Sequence, residues 1–126
     1  MSTRTPLSRV EGLGAAHSGV GHFWRQRVTA IALAPLAGWF ACIALSLIGA
    51  TRDTAVAFLK MPANAVPLGL FVVIASIHMA LGVQVVIEDY IANEGLKLVS
   101  LVLMKFAHFA LGAASIFAVL KIAFGA

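Results

Sequence analysis

Residues 61–87 read MPANAVPLGLFVVIASIHMALGVQVVI, a run without one Asp, Glu, Lys or Arg. An uncharged apolar stretch longer than about 18 residues points to a membrane-spanning helix, because hydrocarbon offers backbone amides no partner outside their own helix. Two further stretches read the same way. One extends from Val28 to Thr51, the other from Leu98 to about Phe124, interrupted by Lys105 and Lys121. Composition agrees: of 126 residues 61% are hydrophobic and 11% charged, with a mean hydropathy of +0.99, against the ~45–50% apolar usage of soluble domains. The expected fold is an all-α membrane protein with three transmembrane helices, at about 28–50, 64–88 and 98–124, running up-down-up through short loops. Nothing is left over for a soluble domain.

The first 27 residues carry Arg4, Arg9, Arg25 and Arg27 against Glu11, spaced by Gly12, Gly14, Gly19 and Gly21. They read as a basic arm, mobile or ordered by a partner, without the short apolar core of a signal peptide. The positive-inside tendency puts this arm and the loop Glu88–Lys97 on the cytoplasmic side, with the loop Thr51–Lys60 outside. The net charge of +4 is then a topology signal. No basic patch with interleaved aromatics argues for nucleic acid. Cys42, the single cysteine, forms no intrachain disulfide and reads as a small packing residue.

Ala34, Gly38, Cys42, Ser46 and Ala50 recur every four residues, a stripe that admits a neighbouring helix at close range. Ala110, Ala114 and Ala118 repeat the device in the third span. Pro35 falls where it can kink the first helix. Three helices make a thin bundle, so the stripes imply further helices from a partner.

Polar residues inside a span need a reason. His78 lies deep in the second stretch, and Asp89, eleven residues on, returns to within about 20° of the same helix face, displaced ~16 Å toward the cytoplasm. Gly82, one turn from His78, removes a side chain beside the imidazole and leaves room for a flat, large group such as haem, for which imidazole is a common axial ligand. The competing reading is a histidine hydrogen-bonded to a neighbouring helix. His108 repeats the setting, since HFALG at 108–112 echoes HMALG at 78–82. The two would lie at similar depth and would suit one haem within the chain, but Lys105 crowds that site, and an interhelical hydrogen bond is the favoured role of His108.

Glu88 reads as a helix end meeting water. Tyr90 reads either as an interfacial anchor or as a phenol able to hydrogen-bond a quinone carbonyl, with Asp89 to orient it or relay protons. Arg25 and Arg27, at the cytoplasmic mouth of the first helix, suit positive-inside anchoring or a carboxylate such as a haem propionate. His17 and His22 have no ligand spacing. Zinc, nucleotide and catalytic-triad motifs are absent from the sequence.

Taken together, HFWRQRVTAIAL at 22–33 and HMALGVQVVIEDY at 78–90 resemble the hydrophobic membrane anchor of bacterial succinate dehydrogenase, the smaller anchor of complex II, especially its alphaproteobacterial form. The resemblance spans nearly the whole chain, and H-x3-G-x6-D-Y is its most specific part. It implies His78 as an axial ligand of haem b, shared with the larger cytochrome b anchor, which would supply the second ligand. It further implies Tyr90 hydrogen-bonding ubiquinone with Asp89 beside it, and, by a looser match, Arg27 near a haem propionate. His108 falls outside the pattern. The implied partners are a flavoprotein, an iron-sulfur protein and the cytochrome b anchor of an oxidoreductase complex in the bacterial inner membrane, the chain itself being non-catalytic. A fumarate reductase-type anchor and a cofactor-free scaffold or transporter subunit with a His78–His108–Lys105 relay are the alternatives.

Overall fold

The computed structural model describes residues 5–10 and 18–125. Five helices follow in order: α1 Pro6–Val10, α2 Ser18–Ser46, α3 Arg52–Lys60, α4 Pro62–Tyr90 and α5 Glu94–Phe124. The helices α2, α4 and α5 are each long and apolar enough to cross a membrane, which bears out the three expected spans. Two differences from expectation stand out, beside shifts of about four residues at the end of α2 and the start of α5. The helix α2 begins at Ser18 rather than near 28, so the last ten residues of the basic arm are its first turns. At 29 residues α2 is about 44 Å long against a ~30 Å hydrocarbon core, so its basic start stands at headgroup level. Arg4, Glu11, Gly12, Gly14 and His17 of the arm lie outside the described residues.

The second difference is α3, a helix where a loop was expected. Its charges conceal it from a hydropathy reading, but each end carries a helix signal. Thr51 caps the start, its hydroxyl accepting from the Thr54 N–H at 3.3 Å. Asp53 sits in the first turn and Lys60 in the last, each complementing the helix dipole. The half-buried Ala55, Val56, Phe58 and Leu59 turn inward, and the helix packs across both α4 and α5. The Asn64 side chain donates to the Phe58 carbonyl at 2.9 Å and ties the end of α3 to the start of α4, where Pro62 occupies a position that needs no donor. Asn93 caps α5, accepting from the Leu96 N–H at 2.9 Å. Pro35 and Pro67 lie within α2 and α4, and neither ends its helix.

The spans form a row. The central α4 packs against α2 on one side and α5 on the other, while α2 and α5 do not touch. Phe40 of α2 stacks on Phe71 of α4 at 4.6 Å between ring centroids, a contact of about 1 kcal/mol beyond its area. On the other side Gly112 of α5 comes close to Ser76 of α4, whose hydroxyl oxygen lies 3.4 Å from where a Cβ would stand. A row leaves little interior: among the described residues only Leu81 and Met104 are buried. Ala34, Gly38, Cys42, Ser46 and Ala50 are all exposed, as are Ala110, Ala114 and Ala118. The small-residue stripes therefore face away from the chain's own helices.

Candidate functional site

The seam between α2 and α4 holds the polar residues. On α2, His22, Gln26 and Thr29 follow at i, i+4 and i+7, the spacing of one helical face. On α4, His78, Gly82 and Val85 do the same. The antiparallel helices bring these columns together, so that Thr29 Oγ1 lies 3.0 Å from His78 Nδ1. The nearest neighbour of a Cβ built on Gly82 would be the Gln26 amide nitrogen, at 3.7 Å. The space expected beside Gly82 is thus covered by Gln26, because α2 begins early enough to present that side chain.

The Thr29 hydroxyl can donate to a backbone carbonyl or to Nδ1 of His78. Thr29 has one hydroxyl proton, and the Arg25 carbonyl accepts it at 2.7 Å, with Gln26 O at 3.1 Å as the alternative acceptor. When that proton stays on a backbone carbonyl, the Thr29 oxygen accepts from Nδ1 of His78. In the neutral ring Nε2 then holds the free lone pair, the form in which imidazole ligates a metal. A hydrogen bond from the other ring nitrogen is what orients a ligating histidine.

Toward the N-terminal end of α2 the seam opens into a cleft of about 570 Å³ lined by His22, Arg25, Gln26, Arg27, Gln84 and Glu88 among others. His22 Nε2 and Gln26 Oε1 are buried there without a hydrogen-bond partner. Arg25 is braced by donating from Nε to the Gly21 carbonyl at 3.2 Å, and the Arg27 guanidinium lies over the Phe23 ring at 5.1 Å. Gln84 donates to Glu88 at 2.8 Å. Glu88 is thus a wall of a basic cleft rather than only a helix end meeting water, and His22 belongs to the site although its sequence spacing carried no ligand signal. The i, i+4, i+7 pattern of His22, Gln26 and Thr29 was the available signal, hidden by reading residues 18–27 as an arm.

Asp89 and Tyr90 form the last residues of α4, both exposed, Tyr90 to 84%. Neither lines the cleft. His108 does not join His78. Its Nδ1 donates to the Met104 carbonyl of its own helix at 2.9 Å, and it lines a groove of about 460 Å³ between α4 and α5 beside Lys105 and Ser76, whose walls do not include His78. Among the described residues no three potential metal ligands cluster.

Residues 1–119 match the family model described as succinate dehydrogenase/fumarate reductase transmembrane subunit. The chain belongs to that family. Within it, the chain is 30% identical over 122 residues to the succinate dehydrogenase hydrophobic membrane anchor subunit of Paracoccus denitrificans, covering 97% of this chain and 94% of that protein. It is 35% identical over 94 residues to the protein of the same name from Rickettsia bellii, covering 75% of each. The succinate dehydrogenase membrane anchor subunit of Reclinomonas americana is 35% identical over 91 residues, with 70% of this chain and 76% of that protein covered. No solved structure matches the chain significantly. The family expected from the HFWRQRVTAIAL and HMALGVQVVIEDY segments is the one matched, and three membrane spans agree with a transmembrane subunit.

Proposed function

We propose that this chain is the membrane-anchor subunit of a succinate:ubiquinone oxidoreductase in a bacterial inner membrane, its N-terminus cytoplasmic. It holds a flavoprotein and an iron-sulfur subunit at the bilayer together with a larger cytochrome b anchor. His78 would hold the iron of haem b together with a residue of that anchor. The observation that supports this reading is the Thr29–His78 hydrogen bond, which orients a half-buried imidazole and, with Nδ1 donating, frees Nε2 to ligate. A single such histidine fits a shared cofactor, because one ligand per chain fills only one axial position.

Bound haem supplies a one-electron redox centre. The chain's residues do the rest. Thr29 fixes the ring orientation of His78. Arg25 and Arg27 give the cleft a positive character suited to propionate carboxylates, with Arg27 the specific assignment, and the orphaned His22 Nε2 and Gln26 Oε1 offer further polar contacts. Tyr90, at the end of α4, presents its phenol to a ubiquinone carbonyl, and the Asp89 carboxylate beside it orients that hydroxyl or passes protons to the reduced quinone. Succinate oxidation itself takes place on the soluble partners.

The test is purification of the complex through a tag on this chain, followed by a reduced-minus-oxidised spectrum. The expected result is co-purifying flavoprotein and iron-sulfur subunits and a b-type haem signal that His78→Ala abolishes and His108→Ala leaves intact. A complex without haem, or haem indifferent to His78→Ala, overturns the ligand assignment, and absence of both haem and the two soluble subunits favours the cofactor-free scaffold. A signal lost in His108→Ala instead points to a ligand pair within this chain.

A further inference from the structure

The end of the molecule opposite the cleft carries a second polar feature that the anchor role leaves unused. Arg52 and Lys60 of α3 and Lys121 of α5 line one cavity of about 370 Å³. Among the described residues none of the three is ion-paired or hydrogen-bonded, the ion pair there being Lys97 with Glu94 at the far end of the bundle. Asp53, the one carboxylate on α3, makes no ion pair with them. The ammonium of Lys60 is seated against the C-terminal cap of α5, 3.1 Å from where a Cβ of Gly125 would stand. Gly125 takes a left-handed φ of 71° and has no side chain to displace it. Two elements thus converge three cations on one spot at the level where α4 and α5 leave the membrane.

From that spot an apolar groove of about 370 Å³ descends between α4 and α5. Lys60 belongs to both cavities. The groove runs along α4 from Pro62 to Val73, past Val66, Gly69 and Leu70, with Ile116 and Leu120 on α5 as the facing wall. Eleven residues of helix correspond to about 17 Å, close to the ~15 Å depth of one leaflet's hydrocarbon. A cationic mouth at the interface and an apolar trough one leaflet deep match one ligand chemistry, a phosphate joined to an acyl chain.

We infer that the α3–α5 corner and the α4–α5 groove form a binding site for an anionic phospholipid. Its phosphate sits among Arg52, Lys60 and Lys121, and one acyl chain lies in the groove over Gly69. The site is independent of the haem and quinone assignments.

The test uses the tagged membrane complex that contains this chain, stripped of lipid in nonionic detergent and titrated with phosphatidylglycerol or with phosphatidylcholine of the same chain length, retained lipid being counted by native mass spectrometry. Phosphatidylglycerol is retained preferentially, and the combined variant Arg52→Gln, Lys60→Gln, Lys121→Gln lowers its retention by about tenfold or more, as befits loss of three cations at a membrane surface. The groove is probed separately by Gly69→Leu, a position with no atom within 4 Å of an added Cβ. That variant lowers retention with all three cations in place. Equal retention of the two lipids, indifference to the triple variant, or displacement of phosphatidylglycerol by millimolar inorganic phosphate alone overturns the inference. So does a cross-link from Val66→Cys to another subunit in the intact complex, which would make the groove a protein interface.

Discussion

The Thr29 hydroxyl is the side-chain partner of Nδ1 of His78, so it bears on how the ring is held. Removing the hydroxyl in Thr29→Val leaves Nδ1 without its acceptor and the ring free to turn or change tautomer. Outer-shell partners of ligating histidines typically change ligand affinity by about ten- to a hundredfold, so the haem content of the purified Thr29→Val complex falls while Thr29→Ser retains it. Full haem in the valine variant would mean that the ring is held by other contacts. Tyr90 calls for a different readout. At 84% exposure within the chain its hydroxyl supports no internal packing, so Tyr90→Phe leaves the fold unchanged. Succinate-to-quinone turnover drops about five- to tenfold, the scale of one lost hydrogen bond, and succinate oxidation with an artificial acceptor persists. Equal loss in both assays would place the defect in assembly.

Two glycines distinguish the faces of the helices. At Gly112 the site of a Cβ is 3.4 Å from Ser76 Oγ, whereas at Gly38 nothing lies within 4 Å. Gly112→Leu therefore forces α4 and α5 apart, a strain of about 1–3 kcal/mol that lowers the thermal midpoint of the complex. Gly38→Leu spares the chain's own packing and, in the proposed assembly, weakens its hold on the cytochrome b anchor, seen as loss of that subunit on washing a tagged preparation. Similar midpoints for both variants, with the anchor retained in each, would remove the stripe on α2 from the interface. The elements differ in how plainly the sequence announces them. Long uncharged runs made the cores of α2, α4 and α5 legible, since hydrocarbon permits little else. The helix α3 was concealed because Arg52, Asp53 and Lys60 end the apolar runs on either side, although Thr51 and Asp53 form a helix start. His78 stood out as a polar residue in a span, but its partner Thr29 lies 49 positions away, and only the packing of α2 against α4 brings them together.

The whole molecule is a row of three spans with an almost absent interior, and its two ends differ in charge. Arg25, Arg27 and Lys97 stand at the end that holds the α2–α4 cleft, with Arg4 and Arg9 preceding them in the sequence, against Arg52, Lys60 and Lys121 at the other. Acidic residues weigh little in orientation, so the acidic Glu88, Asp89 and Glu94 do not cancel the first group. The second group has a separate use at the lipid headgroups. By the positive-inside tendency this asymmetry favours the cleft end in the cytoplasm, the side on which the proposed quinone role of Tyr90 needs the soluble subunits. In a Cys42→Ser background, Asp53→Cys and Ala92→Cys report the two ends, both positions being exposed. A membrane-impermeant maleimide applied to intact spheroplasts labels Asp53→Cys, and Ala92→Cys only after the membrane is opened. The reverse pattern would turn Tyr90 and Asp89 away from the soluble subunits and end the quinone assignment, while His78, near the middle of its span, would keep its place on the haem from either side.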